Sequence, residues 1–501
     1  MNTQSPWKAQ FNKQSIYPTL NQEISVDIAI IGGGITGITA AQHLIQNGKK
    51  VAIIEALSIG EGTTGDSTGN LYIPVQPYYQ NILKKFDNAT VNTILSSRQF
   101  AIDYIEKIAA QENINCHFAR RPWFLYTNNP EQIKFLETEV ELMKKNGVAI
   151  DLTTSLPLNL EFKSAALLDN QARFNPLIYV TELAARLATK GCLIYENSRV
   201  IQSEETNNGV IFHTAQGKVF AKHGIIATHT PIGVNFKQMC LAAYRSYGVA
   251  AHLEDNIYPE GNFWDLNQPH HAICTHSDNG KALNLIIVSG NHHKTGQRQP
   301  HHAYYQDLEN FLSEKFKISK FVYHWSAQHY HSADDVPYIG LADGAKHTYI
   351  ATGYFADGLI YGTLAGIIIG NAILNNNKIG DWQKKYDATR FTPIASWSFF
   401  VKDNINVLMQ YLKDLPTFKT TPYEDIKIGK GKVLEINHEK CAISRDANNQ
   451  LHIVSAVCSH MKGIVNWNDE EKTWDCPCHG SRFTKEGKVI EGPAQFDLEK
   501  K

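Results

Sequence analysis

The chain lacks the features that would betray a specialised class. Its 501 residues carry 48 Lys+Arg against 49 Asp+Glu, a net charge of −1, so no excess of either sign recommends nucleic acid or an anionic membrane as partner. Cysteine is sparse, at 8 residues, too few for a disulfide scaffold in a chain of this length. Residues 1–22 are polar, with Pro6 and Pro18, and show neither the apolar core of a signal peptide nor a twin arginine, which makes a cytoplasmic location the expectation. The longest apolar stretch, residues 359–374, is interrupted by Gly362, Gly366, Gly370 and Asn371 and is short for a bilayer span, so it reads as a buried helix. There is no internal repeat, no GxSxG and no P-loop pattern. A composition of 43% hydrophobic and 19% charged residues is that of an ordinary folded protein, with room for about three domains at roughly 150 residues each.

What is present gathers at the two ends. Residues 26–31 (VDIAII) are an apolar run of strand length that enters Gly32-Gly33-Gly34-Ile35-Thr36-Gly37. A helical pattern follows to Asn47, Gly48 stands where a helix ends, and a second strand, residues 51–55, ends in Glu55. In this dinucleotide-binding pattern Gly32 permits the tight turn, Gly34 lets backbone approach a pyrophosphate and Gly37 lets helix and strand pack closely. The helix start at Ile35 and Thr36 offers N–H groups and a positive dipole end to the phosphates. Glu55, 18 residues after Gly37, can accept ribose hydroxyls, and its charge disfavours a 2′-phosphate. The turn alone does not choose between FAD and NAD.

Two further segments make that choice. One is the Gly- and hydroxyl-rich loop of residues 60–69, with Gly62, Thr63, Thr64, Ser67 and Thr68; the other is residues 349–362, with Gly353, Asp357 and Gly358. Together with residues 334–340 (DDVPYIG) and Val200 after Arg199, they resemble the FAD-dependent oxidoreductases of the D-amino-acid oxidase family over most of residues 24–385. The resemblance implies that the first loop lines the pyrophosphate and isoalloxazine, that Val200 meets the adenine, and that the later turn closes over the flavin. It also implies a substrate lobe from residues 75–165 and 235–325.

At the other end Cys458-Ser-His460 is followed, after 15 residues, by Cys476-Pro-Cys478-His479-Gly480-Ser481. Two Cys and two His could hold zinc. Two short loops, each giving one thiolate and one imidazole, suit instead a Rieske [2Fe–2S] centre, with both thiolates on one iron and both imidazoles on the other. Trp467, Trp474 and Gly492-Pro493-Ala494 strengthen the resemblance to Rieske domains over residues 425–501. It implies Cys458, His460, Cys476 and His479 as ligands, with the imidazoles near a surface where an electron can leave. Gly463 stands where many Rieske proteins have a cysteine paired with the equivalent of Cys478, which leaves Cys478 as a thiol or paired elsewhere, Cys441 being the nearby candidate. Phe483 replaces a Tyr of high-potential members, which implies a potential in the lower half of the roughly −150 to +300 mV range.

The expected fold is therefore an α/β FAD-binding domain of Rossmann type with an interleaved α+β substrate lobe, plus a small all-β Rieske domain. The expected boundaries are an extension at 1–23, the flavin block at 24–385, a connector at 386–424 with a helical stretch at 401–415, and the Rieske module at 425–501. The expected function is oxidation of a small amine or amino acid by FAD, with electrons passed singly to the [2Fe–2S] cluster and an external acceptor. The alternatives are a reductase fed by a donor protein through the cluster, and a non-catalytic redox sensor or electron-transfer module. No nucleic-acid or membrane partner is expected. Arg245 and Arg173 are candidates for a substrate carboxylate. His292, His293, His301 and His302 read as a polar loop after a strand at 283–288. His329, His331 and Asp334 could form an iron triad, but the order of the two blocks opposes it. No general base is legible.

Overall fold

The computed structural model describes residues 3–11, 16–233, 235–277, 283–297, 303–375, 380–390, 392 and 425–501. The helical reading of residues 401–415 and the pair His301-His302 lie outside the described residues. The first sheet has parallel strands in the order Thr348–Thr352, Lys218–Ile226, Glu23–Ile31, Val51–Ile54 and Leu193–Tyr195. Its central strands are apolar on both faces because helices cover them, as parallel sheets require. One cover is the helix Ile35–Gln46; a second is Gly358–Leu374, which is the buried helix expected of residues 359–374. The glycines that interrupt its apolar run are its contact surface. A Cβ on Gly366 would lie 2.7 Å from the backbone N of Ala40, and one on Gly362 would lie 2.7 Å from Thr36 Oγ1. The stripe lets the two helices meet backbone to backbone.

The second sheet has the order Ile318–Ser332, Leu241–Leu253, Leu285–Lys294, His271–His276, Asn262–Asp265, Ala119–Thr127, Ser164–Arg173 and Asn70–Leu71. It is assembled from separate stretches of chain and forms the lobe interleaved with the nucleotide domain. At the N-terminus Trp7 is buried, its indole donates to Ser67 O at 2.7 Å, and Lys8 pairs with Asp66 at 2.7 Å. The extension thus clamps the loop of residues 60–69.

The C-terminal module consists of a sheet of Gly431–Ile436, Glu439–Arg445 and Leu451–Ser455, and another of Asn466–Asn468, Thr473–Asp475, Arg482–Phe483 and Val489–Glu491. The strand Glu439–Arg445 is absent from the sequence reading. Its hairpin turns on Asn437 and His438, both at positive φ (49° and 65°), without the glycine that marks most such turns. Among the described residues no helix is long and apolar enough to cross a membrane.

Candidate functional site

All the residues selected from the sequence for the flavin, except Gly37 and Gly353, line one cavity. Gly32 sits at φ 110°, and a Cβ there would lie 2.5 Å from Ala227 O, so only glycine makes this turn. Gly34 precedes the helix Ile35–Gln46 without a side-chain cap, and Thr64 Oγ1 accepts from Ile35 N at 3.1 Å. The remaining N–H groups of that helix start are thus available to an anion, as phosphate binding requires. Glu55 accepts from Gly33 N at 2.7 Å and Leu57 N at 2.8 Å. Burial pushes its carboxyl up, against those two amides and Arg199, and each oxygen keeps a lone pair for a hydroxyl. Gly37 and Gly353 act on the backbone instead. Gly37 packs on the Gly32 carbonyl, and Gly353 turns at φ 78° beside Ser332.

Asp357 precedes the helix Gly358–Leu374 and lies 3.3 Å from the guanidinium of Arg98, both fully buried. Sequence reasoning missed Arg98. It lies inside the long helix Asn88–Gln111 and donates to the carbonyls of Tyr72, Ile73 and Pro74 at 2.8, 2.9 and 2.7 Å. Nη1 of Arg98 makes this ion pair but no hydrogen bond among the described residues, Oδ1 of Asp357 makes none either, and both side chains line the cavity. Buried polar atoms of both signs with unused hydrogen-bonding capacity fit a bound group with acceptors and donors on one edge, such as a flavin ring.

The far wall of the cavity is the second sheet, through Tyr247, Trp264, His270, His292, Trp325 and His329. Gln76, Trp264, His270 and His292 also line an adjoining outer chamber with Tyr78, Phe135 and Tyr304. The loop expected around His292 and His293 is instead strand. Leu285–Lys294 continues past Gly290 through Asn291 at φ 55°, with a register shift in the facing strand between Arg245 and Tyr247. His292 is thereby turned into the cavity.

The substrate roles suggested for two arginines do not survive. Arg173 donates to Ser277 O at 2.6 Å and lies 3.0 Å from His276 Nδ1, away from this cavity. Arg245 is buried against Glu471 at 2.7 Å and Glu491 at 3.1 Å, both from the C-terminal module. The iron triad fails as well, because Asp334 is held by Arg390 at 2.7 Å and by Thr392 at 2.9 Å.

In the C-terminal module two tight loops face each other. Cys458 N donates to Gly463 O, and Cys476 N donates to Ser481 O, both at 2.8 Å. The loops set the rings of His460 and His479 5.1 Å apart. Cys476 and burial together hold the Cys458 thiol well above its ordinary range, a repulsion that bound cations relieve. His479 Nδ1 is buried with no partner among the described residues. His460 donates from Nε2 to Gly233 O at 3.2 Å, which leaves its Nδ1 lone pair for a metal. Among the described residues no three His, Cys, Asp or Glu side chains close on a single metal ion. Two thiols on one side and two imidazoles on the other form a divided set, which fits a two-iron cluster better than one zinc.

None of the eight cysteines forms a disulfide, so the pairing of Cys478 with Cys441 does not occur. A Cβ on Gly463 would lie 3.5 Å from Cys478 Cβ, within the roughly 3.5–4.5 Å of disulfide pairs. The variant G463C is expected to form that bond. It closes a loop of 15 residues (478 − 463) and adds about 3 kcal/mol to the stability of the module. Thiol counting in denaturant and denaturant titration check this; the bond leaves seven thiols (8 + 1 − 2), and a count of nine would contradict it.

His460 and His479 are only partly buried, and the side of the module that carries them faces the first block. Gln328 donates to Gly480 O at 2.9 Å, Tyr330 donates to Gly492 O at 3.3 Å, and Asn466 donates to Gly296 O at 2.8 Å. A Cβ on Gly480 would lie 2.4 Å from Ala243 Cβ, so the surfaces are in close contact. Arg245 and Arg482 share Glu491 at 3.1 and 3.0 Å. Burial alone would raise the Glu491 carboxyl, but Arg482 and Arg245 hold it down at about 2. Residues 490–495 line the same cavity as Gly34 and Thr64. Ala494, in the Gly492-Pro493-Ala494 loop that carries part of the Rieske resemblance, donates from N to Ser481 Oγ at 3.0 Å, so one loop touches both centres.

Comparison with known proteins gives two family matches: FAD dependent oxidoreductase (DAO) over residues 27–372, and Rieske [2Fe-2S] domain over residues 417–500. The chain is 31% identical to the Rieske 2Fe-2S iron-sulfur protein YhfW of Bacillus subtilis, over 98% of this chain and 97% of that protein. It is 31% identical to gamma-glutamylputrescine oxidoreductase of Escherichia coli, over 46% of this chain and 55% of that one. Among solved structures, glycine oxidase of Geobacillus kaustophilus superimposes with a TM-score of 0.61 at 16% identity, covering 73% of this chain and 99% of that one, a likeness of fold.

Proposed function

Because the chain belongs to the FAD dependent oxidoreductase family and ends in a Rieske [2Fe-2S] domain, and so is an oxidoreductase that binds FAD and a [2Fe–2S] cluster, we propose that it oxidises a small amine or amino acid and passes the electrons singly through the cluster to an external acceptor. The observation that carries this reading is the shared wall: residues 490–495 of the Rieske module line the cavity that begins at Gly32 and Gly34. The printed names of two similar proteins, gamma-glutamylputrescine oxidoreductase and glycine oxidase, support the substrate class.

When bound, FAD supplies two-electron oxidation of a C–H bond beside nitrogen, and the cluster supplies one-electron relay. The chain's own residues do the rest. The Gly32–Gly34 turn and the helix start at Ile35 and Thr36 hold the pyrophosphate, with Thr63, Thr64, Ser67 and Thr68 around it. Glu55 and Val200 take the adenosine end, and Arg98 with Asp357 meets the polar edge of the ring. Trp264, Trp325 and Tyr247 exclude water from the reacting face. Cys458 and Cys476 bind one iron and His460 and His479 the other. The domain limits follow: flavin block 24–385, connector 386–424, Rieske module 425–501.

Anaerobic mixing of the purified protein with a panel of amines and amino acids tests this reading. One compound should bleach the flavin and then raise the EPR signal of the reduced cluster. A panel that leaves both unchanged, alongside bleaching by NADH, would replace it with a reductase.

A further inference from the structure

His292 and His329 stand on strands that flank a common neighbour, Leu241–Leu253, in the second sheet. Ser246 of that neighbour also lines the cavity, at the register shift opposite the strand of His292. His292 Nδ1 lies 3.2 Å from His329 Nε2, with the rings nearly perpendicular at 78°. His329 is 3% exposed, and its Nδ1 has no partner among the described residues. His292 lines both the flavin cavity and the outer chamber, so it stands at the opening between them with Gln76, Trp264 and His270. A substrate coming from the outer chamber toward the flavin passes this ring.

We propose that His292 is the general base of the oxidation, accepting a proton from the substrate ammonium at Nε2, and that His329 is its positioning residue. The proposal rests on the amine reading above and names the group that reading leaves open. In the step one N–H bond of the substrate ammonium breaks and one N–H bond forms on His292 Nε2. The electron pair left on nitrogen stays with the substrate, and no redox change occurs. His292 then carries protons on both nitrogens and donates from Nδ1 to the lone pair of His329 Nε2. The resulting neutral amine has the lone pair that promotes loss of hydride from the adjacent carbon.

The surroundings keep the pair ready. Burial, with His270 and His293 nearby, lowers the pKa of His292 to about 3, and burial with His331 lowers that of His329. Both rings are therefore neutral at working pH. A buried ammonium is disfavoured for the same reason as a buried imidazolium, so the transfer exchanges one desolvated cation for another that His329 shares. The other titratable or charged groups facing the pair are His271, His229, Arg245 and Tyr244, whose ring stacks on His329 with centroids 5.9 Å apart. Arg245 is balanced by Glu471 and Glu491, and Asp265 lies 3.1 Å from Nδ1 of the His271 ring.

The test uses the FAD-loaded full chain and two probes. The first is α,α-dimethylbenzylamine, which has no hydrogen on the carbon next to nitrogen and cannot be oxidised. Its binding is read from the flavin absorbance, and the protonation of 15N-labelled histidine rings is read by NMR. One ring should become doubly protonated on binding at pH 7.5, and that signal should vanish in His292→Asn. Binding without a doubly protonated ring overturns the proposal alone; failure to perturb the flavin counts against the amine reading itself. The second probe is benzylamine. With His292→Asn its flavin reduction should slow about 100-fold at pH 7, the low end of general-base effects, and recover as pH approaches the amine pKa. His329→Gln, which still accepts from Nδ1, should keep most of the rate that His329→Leu loses. An unchanged rate in His292→Asn at every pH overturns the proposal.

Discussion

Replacing Arg245 with Met is expected to uncouple the two halves of the protein while leaving each intact. The guanidinium is 1% exposed and lies between Glu471 and Glu491 of the Rieske module. Its loss leaves two partly buried carboxylates to Arg482, with Ser326 and Asn468 still on Glu471. Breaking a fully buried pair from one side costs about 3–5 kcal/mol, which is the upper bound here, in an interface otherwise held by neutral hydrogen bonds. Substrate should still bleach the flavin, while reduction of the cluster slows by orders of magnitude or stops. Flavin absorbance and cluster EPR, followed in one anaerobic turnover, check this. A double replacement that also changes Glu471 to Gln should recover part of the loss, because it removes one of the stranded charges. Equal cluster reduction in wild type and R245M would mean that the charge network does not hold the dock.

Replacing Gly37 with Val is expected to strip the protein of FAD although Gly37 never touches the cavity. A Cβ at this position would lie 2.0 Å from Gly32 O and 3.1 Å from Ile30 Cγ2. Neither neighbour is the yielding end of a long side chain, so the glycine turn itself must move. Overpacking of this kind costs about 1–3 kcal/mol, or roughly 5- to 150-fold in affinity if it falls wholly on binding. FAD content after purification and a fluorescence titration measure the effect. The cluster's EPR signal should survive, since Gly37 and the Rieske ligands share no contact. A variant that retains FAD at wild-type affinity would show that the turn tolerates displacement.

The parts of the site legible in the sequence are those built from neighbours along the chain. The strand, glycine turn and helix of residues 26–47 are local, and so are the two short loops at Cys458 and Cys476. In each the chemistry is fixed by spacing, which survives without knowledge of the fold. Arg98 was not legible because its partner Asp357 lies 259 residues away in sequence (357 − 98) and no motif surrounds it. In the sequence alone Arg245 is a candidate for a substrate carboxylate, because a buried arginine and a ligand-binding arginine look alike there. Its partners belong to another domain. In the sequence alone His292 reads as part of a loop, because Gly290 and Asn291 mimic a strand end. Asn291 takes a left-handed conformation, and the strand runs on. The direction of the cluster's imidazoles depends on docking, which no local pattern encodes.

The proposed electron path runs between flavin and cluster centres docked within one chain and needs no second molecule. Rapid-freeze EPR over a range of protein concentrations, after a single anaerobic turnover with substrate, measures this most directly. The reduced-cluster signal should grow with a first-order rate that does not change with concentration. A rate proportional to protein concentration would show that electrons pass between molecules, and the docked arrangement would not be the one that works.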